Sequence, residues 1–190
     1  MSELPEVIEL GPEEESRRLW EGAVQAQESA SADLVALCEV LDLGLRAVEI
    51  LVTHRLQPVK NDFPATIGTQ LDSPTAEVEA YRDAVNVPNS LPFTSILDLL
   101  SGEDLECVSP SLHRGWEDRR FSCKRSRVTA KEALGVTLTG EERERLLLLS
   151  AYRNRIFRSP PPVRVVKEEI LIGFPILNRL MQGLTEAAEG

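Results

Sequence analysis

Leucine and valine recur with helical spacing in several long stretches of this chain, which frames it as a set of packed helices. The clearest runs from Ala32 to Arg55, where Leu34, Leu37, Cys38, Leu41, Leu45, Val48 and Val52 follow a heptad-like repeat. Asp33 or Ser31 is placed to cap its start, and the repeat makes Cys38 a core residue. Upstream, Glu13 to Ser29 has helix-forming composition, with Leu19, Trp20, Ala23 and Val24 on one side. It reads as the first helix of a bundle or as a dimer arm, with Trp20 as buried payload and not a ligand contact. Near the C-terminus, Val165 to Ala188 sets Ile170, Phe174, Leu177, Met181 and Leu184 on an inner stripe, and Pro175 is expected to kink or divide that helix.

Between these helices the punctuation changes. Pro58, Pro64, Pro74, Pro88 and Pro92 predict loops and short helices, one over Thr75 to Val87 and another turn or two over Ser95 to Leu100. A short helix follows near Thr129 to Leu134, broken by Gly135. The resulting organisation is an acidic tail and N-terminal helix over residues 1–30, then a single helical domain over 31–190 with an insertion at about 57–128.

The most informative stretch is Thr139 to Ser159. Thr139 can cap a helix whose first turns carry Glu141, Glu142 and Glu144, where negative charge suits the helix dipole, and Pro160 to Pro162 end it. Winding at about 100° per residue puts Leu146, Leu149, Ser150, Arg153, Ile156 and Phe157 on one face. Arg153 thus sits within an apolar stripe. A guanidinium there is costly unless an anion meets it, either a carboxylate of a neighbouring helix or a bound ligand. Asp42 and Glu49, seven residues apart on the edge of the preceding long helix, are natural partners; they read equally as solvated edge charges. Leu147 and Leu148 point away from the stripe, so the helix calls for a second covering surface.

Composition narrows the options. With 190 residues and 42% hydrophobic content, the chain is long enough for a proper core. A net charge of −10 argues against general, charge-driven binding to nucleic acid. Ser109 to Lys131 runs the other way: Arg114, Arg119, Arg120, Lys124, Arg125, Arg127 and Lys131 stand against only Glu117 and Asp118, with Trp116 and Phe121 interleaved. That pattern suits phosphate neutralisation plus base stacking on single-stranded RNA, and suits equally a solvated basic loop that pairs with the acidic tail. Cys38, Cys107 and Cys123 form no CxxC pair, which fits a reducing compartment. His54 and His113 make no metal-ligand pair, and His54 reads as a partner for its helix dipole. No cofactor or metal is expected. No apolar run reaches membrane-span length and the N-terminus lacks the basic start of a signal peptide, so the expected address is the cytoplasm, with no membrane partner.

Arg153-Asn154-Arg155-Ile156-Phe157, late in a leucine-rich helix and followed by a proline run and a final helix, resembles the signature of the HEPN superfamily. In that family the motif is Arg, a polar residue that is often Asn, three further residues, and His. The resemblance implies an all-α bundle that dimerises so that two motifs form one composite site, the loop and short-helix region at about 57–128 being an insertion in it. Many members are metal-independent endoribonucleases of toxin-antitoxin or phage-defence systems, which would make RNA and a cognate antitoxin or defence protein the partners. It also implies that Arg153 and Asn154 hold and position a phosphodiester; the candidate RNA contacts, read from the basic segment itself, are Arg119, Arg120, Lys124, Arg125 and Arg127. The departure is Arg158, which stands where the family has its histidine. Arginine stays protonated and cannot do the general acid-base work of an imidazole. Two expectations follow: a ribonuclease that is inactive with Arg158 in place, or a non-catalytic interaction or regulatory subunit.

Overall fold

The computed structural model describes residues 11–30, 33–63, 71, 91, 93–101, 126–158 and 164–187. Among them the chain is an all-α bundle: α1 (Pro12–Ser29), α2 (Leu34–Leu56), a 3-10 turn (Gln57–Asp62), α3 (Phe93–Leu100), α4 (residues 126–134), α5 (Gly140–Arg158) and α6 (Lys167–Glu186). Extended pairing among the described residues is limited to one isolated bridge between Ser101 and Leu138. The helix expected over Thr75 to Val87 lies outside the described residues.

The bundle is arranged around α2. Asp33 caps it by accepting a hydrogen bond from the Val35 amide at 2.9 Å. Leu37, Val40, Leu41, Leu45, Val48, Leu51 and Val52 are buried along it, and α1, α3, α5 and α6 all pack on it. Leu34, expected inside, is exposed, and Cys38 is only half-buried; Ala36, Leu37 and Val40 in the same turns are buried, so the covered face is turned away from both.

Small residues let α1 lie close. Pro12 and Glu13 to Glu15 occupy its first turn, as a helix start favours. Ser16, Ala23 and Ala26 are buried against α2, and the Ser16 hydroxyl donates to the Ala47 carbonyl at 2.7 Å. Trp20 stacks on Phe174 of α6 with ring centroids 5.3 Å apart, so this helix is an integral layer of the bundle and Trp20 is packing. Val24, expected on the inner side, is exposed.

Two glycines set the approach of α6. A Cβ on Gly173 would stand 2.7 Å from Leu149 Cδ1 of α5, and one on Gly183 would stand 2.5 Å from Val136 Cγ1. The expected inner stripe of α6, from Ile170 through Phe174, Leu177 and Met181 to Leu184, is buried. Pro175 does not divide the helix; it sits on the exposed side, where water can satisfy the carbonyl that its missing N–H leaves unbonded.

Gly135, at φ 69°, ends α4 in the left-handed conformation that glycine takes at least cost, its amide bonded to the Lys131 carbonyl at 2.9 Å. The chain then runs extended, with the Leu138 amide bonded to the Leu100 carbonyl at 2.8 Å, and enters α5 through a reciprocal cap. The Glu142 amide donates to Thr139 Oγ1 at 3.3 Å while the Thr139 amide donates to Glu142 Oε2 at 2.9 Å. Glu142 also pairs with Arg179 of α6 at 2.6 Å. Burial pushes the Glu142 carboxyl up, but the Thr139 and Arg179 contacts outweigh it and hold the group below its ordinary value of 4.5.

Thr139→Ala is therefore expected to cost about 1 kcal/mol in urea unfolding at neutral pH. Because the folded-state pKa of Glu142 is depressed, its contribution is present in full above 4.5 and is lost as pH falls through the lowered value. The difference between the variant and the parent should shrink on acidification; a difference independent of pH would refute this account of the cap.

Candidate functional site

Leu146, Leu149 and Ser150 press α5 into the core, and this seating carries Arg153 onto α2. There it meets Glu49. Arg153 Nη1 donates to Oε2 at 3.0 Å and Nη2 donates to Oε1 at 2.6 Å, with the two side chains only 16% and 10% exposed. The planar fork matches the carboxylate with two parallel bonds, an arrangement that a lysine could not reproduce. Asp42, the other candidate partner, lies about 10.5 Å back along α2, two turns from the point where α5 crosses.

The same turn of α2 holds the chain that enters α3. The Thr53 hydroxyl donates to the Glu49 carbonyl at 2.7 Å and accepts from the Leu91 amide at 2.8 Å. The ion pair thus sits where three segments are tied together. Both terminal nitrogens of Arg153 are engaged, so an incoming phosphate oxygen would meet a carboxylate already in place.

Around this pair the other candidate residues scatter. Asn154 and Arg155 are exposed beside Arg153. Phe157, expected on the inner stripe, is 57% exposed, because the last turn of α5 outruns the helices that cover its middle. The helix continues through Arg158, so positions 153 and 158 lie about 140° apart around the axis. The side chain of Arg158 is outside what the structure describes. So are Arg119, Arg120, Lys124 and Arg125, together with Cys107, Cys123 and His113. Arg127 is half-buried, its Nε donating to the Asp98 carbonyl at 3.2 Å. His54 stands in the last turn of α2. Cys38 is not an activated thiol: burial, then the charges of Asp33 and Glu39, push it above its ordinary value. Among the described residues no group of His, Cys, Asp and Glu is positioned to hold a metal ion, and no helix is long and apolar enough to cross a membrane.

The sequence pattern passed over two polar contacts of α5. The buried Tyr152 hydroxyl donates to a Glu169 carboxylate oxygen of α6, and Arg143 pairs with Asp98 of α3 at 2.5 Å. Tyr152 is adjacent to Arg153 and so falls off the stripe drawn through it; Glu169, a first-turn acid of α6, reads from sequence as a dipole partner. The hydrogen bond to Glu169, then burial and the Glu169 charge, raise the phenol above its ordinary value of 10.0, with Arg155 opposing.

Compared with protein-family models, curated proteins and solved structures, the chain finds no match.

Two outcomes test this geometry. Arg153→Met strands a buried carboxylate and should cost about 3–5 kcal/mol in urea unfolding, whereas Glu49→Leu combined with Arg153→Met should recover most of the loss. Since the folded-state pKa of Tyr152 is raised, its contribution is complete below 10.0 and is lost as pH rises through the higher value. In a Tyr81→Phe background, ultraviolet titration should place the remaining phenol above 10.0, and Glu169→Gln should lower it; an unmoved titration would remove the contact from the account.

Proposed function

We propose that this protein is a catalytically silent HEPN-type subunit that works by association, as a regulatory or scaffolding component of a toxin-antitoxin or phage-defence system in the cytoplasm. The observation that carries this reading is the bidentate pairing of Arg153 with Glu49. A guanidinium neutralised at two nitrogens holds its helix in place; it does not offer the free charge that a scissile phosphate needs. Arg158 adds charge at the end of the same helix but no group that can pass a proton at neutral pH. Leu147 and Leu148, 39% and 37% exposed, give α5 an outer surface suited to a protein partner.

A second reading draws on the exposure of Asn154 and Arg155 beside the pair. Under it the chain is a metal-independent endoribonuclease, disabled at one position, in which Glu49 orients Arg153 for RNA. In an intact site of that kind the arginine holds the phosphate while a histidine assists the 2′-hydroxyl or protonates the departing 5′-oxygen, leaving a cyclic phosphate end.

Arg158→His separates the two. Purified parent and variant are incubated with total RNA in the presence of chelator. The association reading expects no cleavage by either protein; a variant that produces cyclic-phosphate ends would establish the disabled nuclease instead.

A further inference from the structure

Three contacts run α5 and α6 antiparallel: Glu142 to Arg179, Leu149 against Gly173 and Tyr152 to Glu169. The last turn of α5 and the first turn of α6 therefore share one end of the pair. Beyond the Tyr152–Glu169 bond that end is apolar and basic. Phe157 lies five residues past Tyr152, about 7.5 Å further along the axis, and Val166 lies three residues before Glu169. Both are exposed, at 57% and 47%. Arg155 and Arg164 are exposed in the same two turns, without an ion-pair partner among the described residues, and Lys167 follows Val166. Against these cations stands Glu168, while Glu169 is held by Tyr152. The sign reverses towards the other end of the pair, where Glu141 and Glu144 of α5 and Glu186 of α6 are exposed.

We propose that this end of the α5–α6 pair docks on the surface of an anionic lipid bilayer, with Phe157 and Val166 seated among the headgroups and Arg155 and Arg164 against the lipid phosphates and carboxylates. An aromatic ring and a branched aliphatic side chain set among cations suit a water–bilayer boundary: the ring and methyls leave water while the guanidiniums stay in it. The chain carries a net charge of −10, so it is repelled by such a surface in most orientations and meets it best end-on. Glu144 is eleven residues from Arg155, about 16.5 Å along the axis, which is twice the screening length of about 8 Å at physiological salt. A flat surface can therefore touch the basic end and leave the acidic end unfelt. A polynucleotide laid along the pair would run from Arg155 towards Glu144 and Glu141, and Val166 offers a base no ring to stack on. Docking of this kind needs no spanning helix, and there is none among the described residues.

The test is co-sedimentation of the full chain with vesicles of phosphatidylcholine alone and of phosphatidylcholine mixed with phosphatidylserine. The parent is expected to bind the mixed vesicles and not the neutral ones, and to be released by added salt. Phe157→Ser should weaken binding about tenfold or more, and Arg155→Glu and Arg164→Glu about fivefold or more each. Lys131→Glu makes the same change of charge at the opposite end of the bundle, where α4 ends and Val136 meets Gly183 of α6, and should leave binding within about twofold of the parent. All four positions are exposed, and matching circular dichroism spectra confirm that each variant is folded. A parent that ignores the mixed vesicles, one that binds neutral vesicles equally well, or a Phe157→Ser variant that binds like the parent overturns the proposal. So does a parent that binds a single-stranded RNA oligonucleotide through these residues and no vesicle, which would assign the surface to RNA. The proposal goes beyond the silent-subunit reading and is independent of it, because that reading fails only if Arg158→His cleaves RNA.

Discussion

A carboxylate and a guanidinium, both largely withdrawn from water where α5 crosses α2, set the terms on which this bundle closes. Glu49 and Arg153 satisfy each other through two bonds of 3.0 and 2.6 Å, and neither charge has a second ion-pair partner among the described residues. Each alone would be expensive to keep at that depth; together they are tolerable and specific. They register α5 on α2, since a shift of either helix by one turn would separate the fork from its carboxylate and leave both charges facing leucine and valine. The Thr53 bridge from the Glu49 carbonyl to the Leu91 amide passes the same registration to the chain entering α3.

Close approach is what allows so short a chain to cover α2 on several sides. Ser16, Ala23 and Ala26 bring α1 down onto it, a Cβ placed on Gly44 would already stand 3.5 to 3.8 Å from Leu177, Trp20 and Ala23, and Gly173 admits Leu149. Ion pairs are then spent at the rim, where Arg143 holds Asp98 and Arg179 holds Glu142, tying α3, α5 and α6 at the start of the motif helix. The helix that carries the family-like motif is fixed at its N-terminus by a cap, at its middle by Glu49 and Glu169, and is open on its outer side.

That division bears on function. An arginine that anchors a helix and one that holds a transition state need different surroundings: the first wants its charge cancelled, the second wants it available. Arg153 has the first kind. On its outer side the same helix leaves Leu147 and Leu148 partly exposed.

Helical periodicity by itself determined the class of fold, the extents of α1, α2, α5 and α6 to within a few residues, the cap at Thr139, the inner stripe of α6, and the demand that Arg153 be met by an anion. These follow from local rules: apolar spacing, caps, prolines and the cost of an unpaired charge depend on the chain within a turn or two. Tertiary structure alone decided which anion. Asp42 and Glu49 are equivalent on a helical wheel, and only the crossing point of α5 distinguishes them. The same holds for Leu34, Val24 and Phe157, which the apolar pattern turns inward and the structure leaves exposed, and for Tyr152, whose partner Glu169 is invisible without α6 in place. Burial is a property of what a neighbouring element covers, and a one-dimensional pattern records which face of a helix is apolar without recording how far along that face its neighbours extend.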